Sequence, residues 1–230
     1  MSIYYQDDYV TLYHGDCLEL TGWLQADVLV TDPPYGIGWS KGSYNRPGEG
    51  TKSRPHKGIK NDNNADVRDN AILLFGLEKP GIVFGSPRVA EPTTTKAYLV
   101  YQKPSDAGFY GSFGGYRRDW EAIYLTGKWP PAKASHSAVI KTQTKSVNDL
   151  IAARYPGDTG TGHPHTKPLD VMETLISRAP DGVIADPFAG SGSTLVAARN
   201  LGRKAIGVEL EEKYCEIIAN RLSQGAFDFA

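Results

Sequence analysis

The sequence predicts a single α/β domain over residues 1–230, with a largely parallel sheet and helices on both faces of the sheet. Short apolar runs alternate with helix-favouring segments along the chain, which is typical of βαβ units. Two of these runs stop abruptly, one at a proline-rich loop after Thr31 and one at a glycine-rich loop after Asp186. Ligands of open α/β sheets bind beyond the carboxyl ends of the strands, so both loops are expected at the functional edge.

Composition argues against several other classes of protein. The formal net charge is −1, so a contact with DNA must come from a local basic patch. Cys17 and Cys215 lie far apart without metal-type spacing, so neither a disulfide framework nor a metal site is expected. No apolar run is long enough to cross a membrane, and residues 1–8 do not read as a cleavable signal. The expected compartment is the cytoplasm, without a membrane partner.

The predicted elements follow the chain in order. The first unit reads as a strand at Val10–Tyr13, a short helix around Leu18–Leu20 and a buried strand at Val28–Thr31. Apolar runs and turn residues then predict a helix at Ala71–Phe75, strands at Gly81–Gly85, Tyr98–Tyr101 and Glu121–Leu125, a helix with Pro168 at its first position, a strand from Val183, a helix from about Thr194, a strand at Ala205–Val208 and a helix at Glu211–Leu222.

The loop Asp32-Pro33-Pro34-Tyr35 has the residues needed to activate an exocyclic amino group of a base. Such a nitrogen is a poor nucleophile because its lone pair is delocalised into the ring. The Asp32 carboxylate and the Pro33 carbonyl can accept its two N–H bonds and so present the lone pair to an electrophile. Neither Pro33 nor Pro34 can donate to a sheet, and Tyr35 offers a flat face on which a flipped base can stack. The alternative is a tight proline turn with an incidental acid.

Asp32-Pro33-Pro34-Tyr35 resembles the catalytic signature of amino-group DNA methyltransferases, which make N6-methyladenine or N4-methylcytosine with S-adenosylmethionine as cofactor. The resemblance implies a Rossmann-like methyltransferase fold in the circularly permuted arrangement, in which the catalytic motif precedes the cofactor motif. It also implies direct methyl transfer to a flipped base, without a covalent enzyme intermediate. An aspartate rather than a serine at position 32 favours adenine over cytosine.

The glycine-rich loop that follows Asp186 predicts a nucleotide-type site. Gly190 and Gly192 allow the backbone to approach a ligand closely, and the helix that follows presents free N–H groups at its amino end. Glu209 ends the next strand 23 positions after Asp186 (209 − 186), where Rossmann-like folds hold a ribose. A carboxylate at Asp186 would repel a pyrophosphate and suits the methionine amino group of S-adenosylmethionine.

The run from Asp186 to Thr194 also resembles the family's cofactor motif, and the resemblance implies further cofactor contacts. Asp16 is then expected at the adenine amino group and Lys167 at the methionine carboxylate. The same pocket is expected to include Phe188, Ser191, Thr194 and His165, although His165 stands where the family commonly has threonine. An N-cap role for Asp16 and a core role for Phe188 are the alternatives.

Two basic regions are expected to contact DNA. Residues 36–64 read as a long loop beside the catalytic motif, and its cations suit phosphate contacts: Lys41, Arg46, Lys52, Arg54 and Lys57. The aromatic stretch before Trp120 adds Arg117 and Arg118, and reads equally well as a hairpin packed on the core. Residues 128–162 lie where the family has its target-recognition region. The alternatives for the two long segments are a solvated loop and a plain surface segment.

The sequence therefore predicts a site-specific DNA methyltransferase that acts on adenine N6 in double-stranded DNA. Cytosine-N4 transfer, RNA or protein methylation and an inactive nucleic-acid module are the alternatives. The motif order favours DNA, and the acids at Asp32, Asp186 and Glu209 argue against an inactive module. So small a chain offers little surface for reading DNA, which favours a homodimer, and a separate restriction endonuclease is compatible with the resemblance.

Overall fold

One mixed sheet organises the part of the chain that the structure describes. A computed structural model describes residues 3–36, 64–107, 114–131, 134–143 and 166–224. Within these ranges the sheet has nine strands, with helices packed on both faces. None of the described helices is long and apolar enough to cross a membrane.

The strands and helices are numbered in chain order. The strands are β1 (Ile3–Gln6), β2 (Val10–His14), β3 (Val28–Thr31), β4 (Gly81–Gly85), β5 (Thr95–Gln102), β6 (Trp120–Thr126), β7 (Val139–Lys141), β8 (Ile184–Asp186) and β9 (Ala205–Glu209). The helices are α1 (Asp66–Phe75), α2 (Leu169–Arg178), α3 (Ser193–Asn200) and α4 (Glu212–Gln224), and a 3₁₀ helix spans Gly22–Gln25.

The centre of the sheet is parallel, as predicted. The strand order is β1-β2-β9-β8-β3-β4-β6-β5-β7. The pairs β2–β9, β9–β8, β8–β3 and β3–β4 are parallel, whereas β1, β6 and β5 join by antiparallel pairs. The chain runs outward from β3 to β4 on one side and from β8 to β9 on the other, so the strand order reverses between β3 and β8. Ligands of open α/β sheets bind at such a reversal.

Alternate residues of the central strands explain the two-faced core. Val28 and Val30 face one cluster, which includes apolar side chains of α2, α3 and α4. Leu29 faces the other cluster, with Phe75 of α1 and Trp23 of the 3₁₀ helix, whose rings stack at 5.7 Å. Strands buried on both faces read as continuous apolar runs, which is why β3 and β4 could be predicted with correct bounds.

Several local predictions were wrong. The short helix around Leu18–Leu20 is a turn, because the backbone carbonyl of Asp16 accepts the N–H groups of Glu19 and Leu20 while its side chain accepts that of Leu18. The helical residues come later, in the 3₁₀ helix. Pro168 is the N-cap of α2 rather than its first residue: its backbone is extended (φ −60°, ψ 139°) and its carbonyl accepts the N–H of Met172.

Two strands were absent from the sequence prediction, and both lie at edges of the sheet. Strand β1 is mostly exposed and lacks apolar alternation. Strand β7 has three residues, of which only Ile140 is buried. Edge strands carry a weak apolar signal because one side of each faces no neighbouring strand.

Candidate active site

Four acids stand in a row along the carboxyl edge of the parallel strands. Asp16 follows β2, Glu209 ends β9, Asp186 ends β8 and Asp32 follows β3. The strands pair in register, with His14 opposite Glu209 and Asp186 opposite Gly207, so the row follows the strand order β2-β9-β8-β3. Positions far apart in the chain are thereby brought to one edge.

All four acids line one cavity of about 480 Å³. Its two ends differ in chemistry. Asp16, Glu209 and the glycine-rich loop line one end, which we call the cofactor end. Asp32, Tyr35, Glu121 and Arg118 line the other, which we call the base end, and Asp186 lies on the strand between β9 and β3. The volume is in the range of sites that hold small molecules.

Asp186 is a buried carboxylate at the middle of the row. Its side chain is 2% exposed, and its Oδ1 accepts hydrogen bonds from the Thr31 hydroxyl (2.7 Å) and the Phe188 N–H (3.1 Å). The Thr194 hydroxyl also bonds to it. Burial nevertheless raises the pKa of Asp186 to about 6, since three hydrogen bonds do not replace the lost hydration. A cation in the cavity would stabilise its ionised form.

Glu209 is held across the tip of the glycine-rich loop. Its Oε2 accepts the N–H of Gly190 and its Oε1 accepts the N–H of Glu211, both at 2.8 Å. Burial raises the pKa of Glu209 to about 7, and the nearby acids Glu211 and Asp186 add to the rise. We call Asp186 and Glu209 the acid pair; both are destabilised as anions in the free cavity.

The glycine-rich loop is shaped by its two predicted glycines. Gly190 (φ +53°) and Gly192 (φ +80°) have left-handed backbone, and Gly192 is the N-cap of α3. A Cβ at Gly192 would lie 2.8 Å from Cγ1 of Ile218, so the loop packs directly on α4. The Ser193 hydroxyl donates to the Lys167 carbonyl at 2.9 Å, which joins this loop to the segment before α2.

The other residues predicted for the cofactor also line the cavity. Asp16 lines it, and its side chain accepts the N–H of Leu18 within a turn; because no helix begins there, the alternative role of a helix N-cap is wrong. Phe188 lines it while packing against the core cluster that contains Trp23. Ser191 lines the cavity and is buried, and its carbonyl accepts a hydrogen bond from Arg221. His165 lies outside the described residues.

Asp32 and Tyr35 form the centre of a second group at the opposite end. The Tyr35 hydroxyl donates to Asp32 Oδ1 at 2.7 Å. Burial, together with the charges of Asp32 and Glu121, raises the pKa of Tyr35 well above its usual value, so the hydroxyl stays a donor. Pro34 lines the cavity beside them, and Pro33 is buried in the loop.

Lys167 joins this second group rather than the acid pair. Its Nζ pairs with Asp32 Oδ2 and, at 3.1 Å, with Glu121 Oε2. The Tyr35 hydroxyl lies 3.4 Å from the same nitrogen, and the side chain is 8% exposed. Burial alone would lower the pKa of Lys167, but the Asp32 and Glu121 carboxylates outweigh it and raise the pKa. The structure therefore places an ammonium against the predicted catalytic acid.

Glu121 is the residue of this group that sequence reasoning missed. Its Oε1 pairs with Lys103 at 2.8 Å, and its Oε2 pairs with Lys167. Burial alone would raise its pKa, but the Lys167 and Lys103 ammonium groups lower it to about 2. One feature of the sequence could have indicated Glu121: it is a charged residue at the start of the otherwise apolar run Glu121–Leu125 of β6. Its partners in this group, Lys167 and Tyr35, lie 46 and 86 positions away in sequence (167 − 121 and 121 − 35), so no local pattern indicates them.

Of the residues predicted to contact DNA, the structure describes two. Arg118 is exposed at the mouth of the cavity. Arg117 also lines it, pairs with Asp119 at 3.6 Å and donates to the Ser105 carbonyl. The cations of the predicted basic loop lie outside the described residues: Lys41, Arg46, Lys52, Arg54 and Lys57.

Comparison with known proteins decides which family this arrangement represents. A family model described as DNA methylase, for N6 and N4 methyltransferases, matches residues 26–220. The chain belongs to the N6/N4 DNA methylase family. The type II methyltransferase M.ScaI of Streptomyces caespitosus is 28% identical over an alignment of 256 positions. The alignment covers 97% of this chain and 84% of that protein.

Solved structures show the same fold. The complex of M1.HpyAVI with S-adenosylmethionine has a TM-score of 0.61 and 22% identity, covering 93% of this chain and 98% of that one. The PvuII DNA methyltransferase, described as cytosine-N4-specific, has a TM-score of 0.63 and 15% identity, covering 95% and 88%.

These findings confirm the predicted family, the Rossmann-like α/β fold and DNA methyltransferase function. As a member of the N6/N4 DNA methylase family, the protein uses S-adenosylmethionine as its methyl donor. The family includes both adenine-N6 and cytosine-N4 enzymes, so membership fixes the chemical group that is methylated but leaves both bases open.

Proposed function

We propose that the protein methylates adenine N6 in double-stranded DNA, with Asp32 as the residue that engages the target amino group. The observation that carries the proposal is the position of Asp32: it follows the strand next to Asp186, and both line one cavity. A donor held near Asp186 and a base held near Asp32 would then share that cavity. The aspartate at position 32 supports adenine rather than cytosine.

The acid pair suits a cationic cofactor. Both carboxylates have raised pKa values in the free cavity, about 6 for Asp186 and about 7 for Glu209, because burial leaves their charge uncompensated. Asp186 would hold the methionine amino group, Glu209 the ribose hydroxyls and Asp16 the adenine amino group. Phe188 and the loop from Gly190 to Thr194 would enclose the nucleoside. When bound, S-adenosylmethionine supplies a methyl group on a positively charged sulfur.

Asp32 and the Pro33 carbonyl act on the target base. They accept the two N–H bonds of the exocyclic amino group, which draws the nitrogen towards tetrahedral geometry and presents its lone pair. As the N–C bond forms, the methyl–sulfur bond of the donor would break and leave its electron pair on sulfur. The nitrogen would then carry one extra proton, which Asp32 would accept and pass to water. The Tyr35 hydroxyl, fixed on Asp32 Oδ1 at 2.7 Å, orients the carboxylate while the ring provides a stacking face.

Arg118 would contact DNA phosphates because it lines the base end of the cavity. The predicted basic loop at residues 36–64 would do the same because it directly follows Tyr35 in the sequence. The segment at residues 128–162 is proposed to read the target sequence. A homodimer, a separate restriction endonuclease and a cytoplasmic location stay predictions from the sequence.

The test is methylation of unmethylated genomic DNA with methyl-labelled S-adenosylmethionine, followed by digestion to nucleosides. Label in N6-methyladenine would support the proposal. Label in N4-methylcytosine would contradict the choice of adenine and leave the roles of the site residues standing. Label in neither nucleoside, with measurable cofactor binding, would contradict the assignment of DNA as the substrate.

A further inference from the structure

The ammonium of Lys167 lies between two carboxylates, and only one of them belongs to the predicted catalytic loop. Asp32 Oδ2 and Glu121 Oε2 both pair with its Nζ, and the Tyr35 hydroxyl lies 3.4 Å away. The Lys167 side chain is 8% exposed, and the side chains of Asp32 and Glu121 are 22% and 19% exposed. Electrostatic interactions are therefore stronger here than at the protein surface.

This arrangement presents a conflict for the proposed reaction. The Tyr35 hydroxyl occupies Asp32 Oδ1 and Lys167 occupies Asp32 Oδ2, so both oxygens are engaged in the free protein. The target nitrogen gains positive charge as its new bond forms, and a neighbouring ammonium opposes that charge. If Lys167 had Asp32 as its single counter-ion, the pair would be neutral and Asp32 would have little charge left to stabilise the reaction.

Glu121 resolves the conflict through charge and position. Its Oε2 gives the Lys167 ammonium a second carboxylate partner at 3.1 Å, so Asp32 is not the single counter-ion of that ammonium. Its strand β6 is held on both sides, by β4 and by β5, with Tyr101 opposite Glu121 and Gly85 opposite Ala122. Lys103, which also lines the cavity, pairs with its other oxygen at 2.8 Å and holds the carboxylate in place, and the charges of Asp32, Lys167, Glu121 and Lys103 sum to zero.

We infer that Glu121 is a positioning residue for methyl transfer: it holds the Lys167 ammonium and offsets its charge, so that Asp32 keeps the negative charge and the acceptor sites that the target amino group needs. This inference rests on the proposed role of Asp32. In the free protein both carboxylates share the ammonium, and when the target amino group binds Asp32, Glu121 retains it. The low pKa of Glu121 agrees with a carboxylate that stays ionised for this purpose.

The first test compares Glu121→Gln with the wild type in steady-state methylation of unmethylated genomic DNA. We expect kcat to fall roughly 10- to 100-fold, less than the roughly 100- to 1,000-fold loss on removing a donor that touches the reacting atoms, because Glu121 acts through Lys167 and Asp32. Because Glu121 lies away from the acid pair, the Kd for S-adenosylmethionine, measured by calorimetry, should stay within about twofold. Glu91→Gln, the same charge change at an exposed residue that bonds Tyr98, should leave kcat unchanged.

A second set of variants separates positioning from a merely structural role. Glu121→Asp keeps the charge and should recover part of the kcat lost in Glu121→Gln. In a Lys167→Met background there is no ammonium to hold, so adding Glu121→Gln should slow transfer no further. The double variant lacks the charges of both Lys167 and Glu121, so it leaves no unpaired charge at this contact. It therefore still tests the inference if thermal unfolding shows that Glu121→Gln by itself does not fold.

Three results would overturn the inference. One is a wild-type kcat in folded Glu121→Gln, and another is an equal loss of kcat in Glu121→Asp. The third is a further 10- to 100-fold loss in the double variant relative to Lys167→Met, roughly the size of the single effect. A wild-type protein that labels no nucleoside at all would instead overturn the proposed substrate and, with it, the role of Asp32 on which the inference rests.

Discussion

If the acid pair binds S-adenosylmethionine as proposed, the affinity for this cofactor should depend on pH, with a sign and a size set by the two raised pKa values. Burial raises the pKa of Asp186 to about 6 and that of Glu209 to about 7. A cationic cofactor binds the ionised forms, so protons compete with it as the pH falls. If both groups must be ionised, the apparent Kd is multiplied by (1 + 10^(6−pH))(1 + 10^(7−pH)), which is about 1.1 at pH 8 and about 22 at pH 6.

Calorimetric titration of the wild type, Asp186→Asn and Glu209→Gln between pH 6 and pH 8 measures this directly. We expect the wild type to lose about 20-fold in affinity, Asp186→Asn about 10-fold and Glu209→Gln about 2-fold, since each variant lacks one of the two proton-binding steps. Any titration of the ligand itself is common to the three proteins and cancels in the comparison. Three parallel profiles would refute the reasoning, because the acids would then not be the groups that compete.

Four further predictions concern other parts of the molecule. Asp32→Ala should lower methyl transfer roughly 100-fold or more, by a labelled-methyl assay, with cofactor Kd changed less than about threefold; equal losses would contradict its role. Gly192→Ala should cost about 2–4 kcal/mol by urea unfolding, because a Cβ there meets α4 at 2.8 Å, whereas Gly202→Ala, also at positive φ but in open space, should cost only about 1 kcal/mol. Arg118→Gln should lower the association constant for DNA and make the slope of its logarithm against the logarithm of the salt concentration less steep by about 1. Lys96→Gln, on the exposed surface of β5, should change neither. Because the pKa values of the acid pair are raised in the folded state, the folded protein binds protons below pH 7 that the unfolded chain does not. Lowering the pH from 8 to 6 should therefore raise the free energy of unfolding by about 2 kcal/mol relative to a variant without both acids. No difference between the two proteins would contradict the assigned burial.

The acid pair also illustrates how the site opposes the stability of the fold. Ionising either carboxylate at neutral pH costs free energy because the buried anion has lost its hydration. The three hydrogen bonds that Asp186 accepts and the two that Glu209 accepts do not fully replace that hydration. A core built only for stability would have neutral groups at these positions. Their presence at one edge of the sheet agrees with the proposed role in binding a positively charged ligand.

The sequence by itself determined where the functional loops begin. Pro33 and Pro34 cannot donate to a ladder, and Gly190 and Gly192 favour left-handed turns, so the ends of β3 and β8 follow from local chemistry. The buried strands could be predicted for a similar reason, since a continuous apolar run is a local property. The two loops, their acids and the family resemblance therefore came from residues that are neighbours in the chain.

The tertiary structure alone decided which residues meet. The row from Asp16 to Asp32 depends on the order β2-β9-β8-β3, and parallel pairing between distant strands leaves no mark in the local sequence. The role of Glu121 and the pairing of Lys167 with Asp32 also depend on the tertiary structure, because the sequence around a charged residue does not indicate which residue it pairs with. Local sequence sets backbone conformation, whereas the charge balance of the site is set by contacts between segments that only the folded sheet brings together.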